Sequence, residues 1–159
     1  MLYLALKTVH VLAVVLFLGN VITAIFWKAH GDHMSASGGD LRARVQALDG
    51  IIRADRIFTV PSVLLILATG ATLVFVGNLS FFTPWILWSL VLFGAAGAVF
   101  GARVGPLQKK LLANAQAGLA GQWNEAEYQA LSSSWQSWGW VATGAPLVAV
   151  ALMVLKPTG

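Results

Sequence analysis

His10 is the residue in this sequence best placed to do chemistry. It lies in an apolar stretch that runs to Trp27, with Lys7 three positions before it and so on the same face of a helix. An ionisable side chain at membrane depth marks a functional site, and a neutral imidazole there is a natural ligand for haem iron. Lys7, nearer the interface, could pair with a haem propionate. Trp85 and Trp88 enter at the same depth and could cover a porphyrin face, and Met153 offers a second axial ligand. The expected chemistry is electron transfer or oxidation of a hydrophobic substrate, with a porphyrin or quinone as partner. Plainer roles stand beside these: a lone intramembrane histidine can hydrogen-bond across helices, lysines snorkel to the interface, and methionine fills cores.

Other groupings carry less chemistry. His30-Gly31-Asp32-His33 sets two imidazoles and a carboxylate close together, ligands that suit zinc or copper. The loops supply no further histidine as a third or fourth ligand, so a solvated loop is the alternative. Arg53, Asp55 and Arg56 stand where a span meets the aqueous side, suited to lipid headgroups or to the other loop. Asn20, Thr23 and Ser89 read as hydrogen-bonding groups between helices. Gly97, Gly101 and Gly105, with Gly94 and Ala98 beside them, have the spacing that lets two helix backbones approach closely, within one chain or between two copies. The absence of cysteine excludes disulfides, thiolate metal sites and cysteine catalysis. All six acidic residues fall in the two polar stretches, which argues against a carboxylate-driven pump.

The elements that must position these residues follow from composition. Hydrophobic residues make up 58% of the 159 and charged residues 10%, against about 25% charged in soluble domains. Most of the chain must therefore face lipid or other helices. The net charge of +4 comes from basic residues placed between apolar runs, so it points to membrane topology and not to nucleic acid. The first apolar run is too long for the roughly 7–15-residue core of a cleavable signal. From Ile57 to Ala102 no residue is charged, a run far beyond the about 20 residues one span needs. It must cross twice, with the break at Gly77-Asn78 to Thr83-Pro84. Four spans result, about 3–27, 57–77, 84–104 and 137–155, with polar stretches at 28–56 and 105–136.

In the first polar stretch, Ser37-Gly38-Gly39-Asp40 reads as a turn and cap. Leu41, Val45, Leu48 and Ile52 then form an amphipathic stripe that leads into the second span. Asn124 with Glu127 has the form of a capping box, opening a helix that runs through Trp135, Trp138 and Trp140 into the fourth span. Eight of the ten Lys and Arg residues lie in the two polar stretches or, for Arg103, at the edge of one. The positive-inside rule places both stretches in the cytoplasm and both termini outside. The expected fold is an all-α, integral membrane four-helix bundle forming a single domain, 1–159, with cytoplasmic extensions of the second and fourth helices, in a bacterial inner (plasma) membrane.

Leu6-Lys7-x-x-His10 followed by Gly19 resembles the first span of HemJ-type protoporphyrinogen oxidases and of the related copper-resistance D domain proteins. Arg56, Pro61 and Gly70 resemble their second span, and Trp138, Pro146 and Val154-Leu155-Lys156-Pro157 their last. The overall pattern is closer to a family of small predicted four-helix integral membrane proteins, a resemblance that implies no activity. The HemJ resemblance implies haem b bound through His10. It also implies a lysine in the third span, where this chain reads Trp85-Ile86-Leu87-Trp88-Ser89-Leu90. That departure favours haem binding over protoporphyrinogen oxidation. The leading expectation is thus a haem-binding, redox or haem-related membrane protein. The alternatives are a non-catalytic subunit or scaffold packing through its glycine face, and a metal or small-solute permease.

Overall fold

The computed structural model describes residues 1–38 and 40–157. It holds four long helices: α1 (Leu2–Gly38), α2 (Arg42–Val76), α3 (Pro84–Leu119) and α4 (Glu125–Leu155). Each is long and apolar enough to cross a membrane. The expected breaks hold. α2 ends before Gly77, α3 opens on Pro84, and Asn124 caps α4 by accepting the Glu127 N–H at 3.1 Å. Lys156, in the left-handed region at φ 45°, stops α4 ahead of Pro157.

Tyr3 packs beside Gly77, and the Lys156 ammonium lies 5.6 Å from the centre of the Trp85 ring. The start of α1 and the end of α4 therefore share one end of the bundle with the short turn between α2 and α3. The charged stretches share the other end.

These stretches are more helical than expected. Extensions belong to all four helices, because α1 runs on to Gly38 and α3 to Leu119. Lys28, Gly31 and Ser35 continue the buried face of α1 at helical spacing, which keeps the helix packed beyond Trp27. Gly31 lets α2 come close: a Cβ there would stand 2.7 Å from the Ala47 Cβ and 3.0 Å from the Ala43 carbonyl oxygen. Of the expected turn at 37–40, Gly39 lies outside the described residues. Asp40 does accept the Arg42 N–H at 2.9 Å, just ahead of α2.

The inward line of α2 is Leu48, Ile51, Asp55, Thr59, Ser62, Ile66 and Thr69. It is rotated slightly from the stripe expected at 41, 45, 48 and 52. Two π-turns interrupt the α-helical ladder, Asp55–Thr59 in α2 and Phe100–Val104 in α3. Each stands two residues ahead of a proline, Pro61 or Pro106. A proline ring clashes with the carbonyl four residues earlier, and a wider turn moves that carbonyl aside.

The larger core lies toward the charged end, around Leu48, Leu111, Tyr128 and Trp135. A smaller one, Ala13, Phe17 and Ile66, joins α1 to α2. In the apolar half α1 packs mainly on α2 and α3 on α4, and Phe17 of α1 meets Phe93 of α3 edge-on between the pairs, ring centres 5.6 Å apart. No α-carbon of Val60–Val76 comes within 8 Å of one in α3 or α4.

Candidate functional site

The inward stripe of α2 brings Asp55 to the meeting point of three helices. Its Oδ1 accepts from Asn20 of α1 at 3.0 Å and from Thr59, one turn on, at 2.8 Å. Its Oδ2 accepts from Gln108 of α3 at 2.9 Å. The Asn20 amide also donates to the Thr59 hydroxyl at 2.8 Å, closing the ring of donors. Asn20 stands seven residues inside Trp27, about 10 Å along the helix axis. Asp55 is thus buried against the apolar run of α1, although it belongs to the charged stretch. Adjacent basic residues are turned elsewhere. Arg53 pairs with Asp49 at 2.8 Å, and Arg56 is exposed.

Asp55 borders a partly open cavity of about 300 Å³. Phe100 and Val104, the two ends of the α3 π-turn, form one wall, and Trp135 another. Gln136 and Trp140 stand at the exposed rim. The Trp135 indole N–H is buried without a hydrogen-bond partner. Both π-turns therefore contribute to one site, as such turns often do at functional positions.

His10 is also buried, between α1 and α2. Its Nδ1 lies 2.9 Å from the Thr69 hydroxyl, which donates to the carbonyl of Leu65. Gly70 makes room for the ring: a Cβ there would stand 3.2 Å from His10 Cε1.

A model of the family described as predicted integral membrane protein (DUF2269) matches residues 4–157. The chain belongs to this family. Neither a curated protein nor a solved structure matches it. Membership in DUF2269 agrees with the four membrane-length helices, and nothing in these matches points to HemJ.

Within this DUF2269 fold the other expected site residues separate. Lys7 is exposed while His10 is buried. Trp88 is 58% exposed and faces lipid, Trp85 lies under Lys156, and Met153 is half-buried on α4. No α-carbon of Pro84–Val99 is within 8 Å of one in α1; the contact between them is Phe17 with Phe93, ring centres 5.6 Å apart.

His30 and His33 are exposed, and Asp32 is committed to Lys28 at 2.6 Å, Tyr128 at 2.6 Å and Arg44 at 3.2 Å. Among the described residues no three His, Cys, Asp or Glu side chains gather as a metal would need.

The glycine stripe is not used for packing within the chain. A Cβ on Gly94, Gly97 or Gly101 would meet nothing within 4 Å. Thr23 bonds back to its own helix, whereas Ser89 does bridge helices, reaching the Ala149 carbonyl at 3.2 Å.

Proposed function

We propose that this protein is a membrane-embedded binding protein or permease for a small solute, with the cavity beside Asp55 as its site. One observation carries the reading: a buried carboxyl with no cationic partner among the described residues borders a cavity between the helices. A buried charge left unpaired is expensive, so a chain that keeps one beside a cavity has reason to fill it. The volume, about 300 Å³, stands at the lower end of the roughly 300–1,000 Å³ of small-molecule sites.

The test uses the native absence of cysteine. Gly139 lines the cavity and has open space where a Cβ would go. Gly94 is exposed on the lipid side and equally open. Maleimides attack the thiolate, which needs water to form, so Gly139→Cys is expected to react with N-ethylmaleimide at least about tenfold faster than Gly94→Cys. Equal, slow labelling of both would mean that the cavity admits no solute, and the reading would fall.

A second reading, b-type haem held by His10 with a redox or haem-related role, is favoured by the Thr69 contact. A ligating histidine has its other ring nitrogen held by a hydrogen-bonding neighbour in this way. The donor fits. The residues around it do not enclose a porphyrin, since Lys7 and Trp88 point outward. Under this reading the purified protein, expressed with ample haem, shows a Soret band that His10→Ala loses. A colourless preparation rules it out.

A further inference from the structure

We propose that the cavity takes a monovalent organic ammonium ion with apolar substituents, and that the Asp55 carboxylate is its counter-ion. This rests on the solute-binding reading above and names the solute's chemistry.

The donors around Asp55 set the charge of the site. Three neutral groups from three helices, Asn20, Thr59 and Gln108, all donate to one carboxyl. Such donors hold the charged form of a carboxyl in place without neutralising it. The nearby cations are spent. Lys28 lies one turn beyond the cavity-lining Ala24 and Ile25, but its ammonium is bound to Asp32 at 2.6 Å and Ser132 at 2.7 Å. The Arg103 guanidinium, beside Val104, lies 5.5 Å from the centre of the Trp138 ring. A single carboxyl thus borders the cavity with no protein cation on it among the described residues.

The remaining walls set the size and polarity of the ligand. Phe100, Trp135 and Trp140 give aromatic surface, and Val104 gives aliphatic surface. Aromatic faces attract organic cations, more strongly where water is excluded. A divalent metal would demand several further oxygen ligands, and no such carboxylate or imidazole group exists among the described residues. A neutral solute would use the apolar walls and leave the carboxylate uncompensated. An ammonium with alkyl groups satisfies both.

The experiment reads protection of Gly139→Cys from N-ethylmaleimide in maltoside micelles, with choline as the cation. Its uncharged isostere, 3,3-dimethylbutan-1-ol, is the control. At about ten times its dissociation constant, choline is expected to slow labelling by roughly tenfold, whereas the alcohol leaves the rate unchanged. In the Asp55→Asn form of the same protein, the ratio of rates with and without choline returns to one. Comparing choline with the alcohol on the unmutated carboxyl keeps the test independent of whether that variant folds. Equal protection by the alcohol, protection that survives Asp55→Asn, or rapid labelling that choline does not slow would each overturn the ammonium proposal and leave the solute-binding reading standing. Failure of the Gly139→Cys thiol to label at all would overturn both.

Discussion

Replacing Asp32 with alanine is expected to destabilise the protein by about 3–5 kcal/mol, the cost typical of removing one partner from a buried ion pair. Asp32 stands at the centre of a network that ties α1, α2 and α4 together. Its two oxygens hold the Lys28 ammonium at 2.6 Å, Arg44 Nε at 3.2 Å and the Tyr128 hydroxyl at 2.6 Å. The cations are the buried members: the Lys28 side chain is 3% exposed and that of Arg44 8%. Without Asp32, Lys28 keeps only the Ser132 hydroxyl, and Arg44 keeps Glu125, at 3.6 Å and half-exposed. The rings of Tyr128, Trp123 and Trp135 around them disperse charge but do not neutralise it. The control is Asp49→Ala. The Asp49–Arg53 pair is 2.8 Å long but exposed on both sides, and its loss should cost under about 1 kcal/mol. Thermal unfolding in detergent, followed by circular dichroism, measures both. A loss at Asp32→Ala no larger than at Asp49→Ala would show that the network is not holding the extensions together.

Tyr128→Ala should cost a comparable amount, about 3–5 kcal/mol, as full truncation of a buried aromatic does. Tyr128 is 1% exposed and belongs to the larger core with Leu48 and Leu111. Two cations also lie over its ring, Lys28 at 5.4 Å and Arg44 at 4.6 Å from the centroid. Tyr128→Phe separates the contributions, because it keeps the ring and removes only the hydrogen bond to Asp32. Its expected cost is about 1.5–3 kcal/mol, the range for hydrogen bonds to a charged group. Unfolding midpoints of the two variants should therefore fall in the order Ala below Phe below native. Because Tyr128 and Asp32 touch, combining Tyr128→Phe with Asp32→Ala should cost less than the sum of the two. Equal stability of Tyr128→Ala and the native protein would overturn the packing account.

The spans were legible because charge is costly in a bilayer and its absence over a long run has one explanation. The ends of α3 and α4 were legible too, since Pro84, Asn124 and Pro157 carry local geometry. What sequence could not carry was helix phase inside the membrane. α3 is apolar all round between Pro84 and Val99, so its pattern does not say which side faces the bundle. Trp85 and Trp88 were matched to His10 by depth alone, and phase turned Trp88 into lipid. Asp55 shows the converse. Among charged neighbours it read as an interface residue, yet it shares its face with Leu48, Ile51 and Thr59 at spacings of three and four. Tracing that stripe through the charged stretch would have found it. Its partners Asn20 and Gln108 lie too far along the chain for spacing to reveal. The His10–Thr69 pair, 59 residues apart, is of the same kind.

The two π-turns give the molecule an unusual sensitivity to length. Each carries one residue more than an ordinary turn would, and that residue sets how the helix above it is rotated relative to the helix below. Deleting it would restore a regular α-helix and swing one half by about 100° against the other. Both halves of α2 and α3 would remain helical and equally apolar, yet Asp55 and Gln108 would no longer face each other. In this chain a single missing residue, with no change in composition, would erase the cavity's polar wall and leave the membrane spans intact.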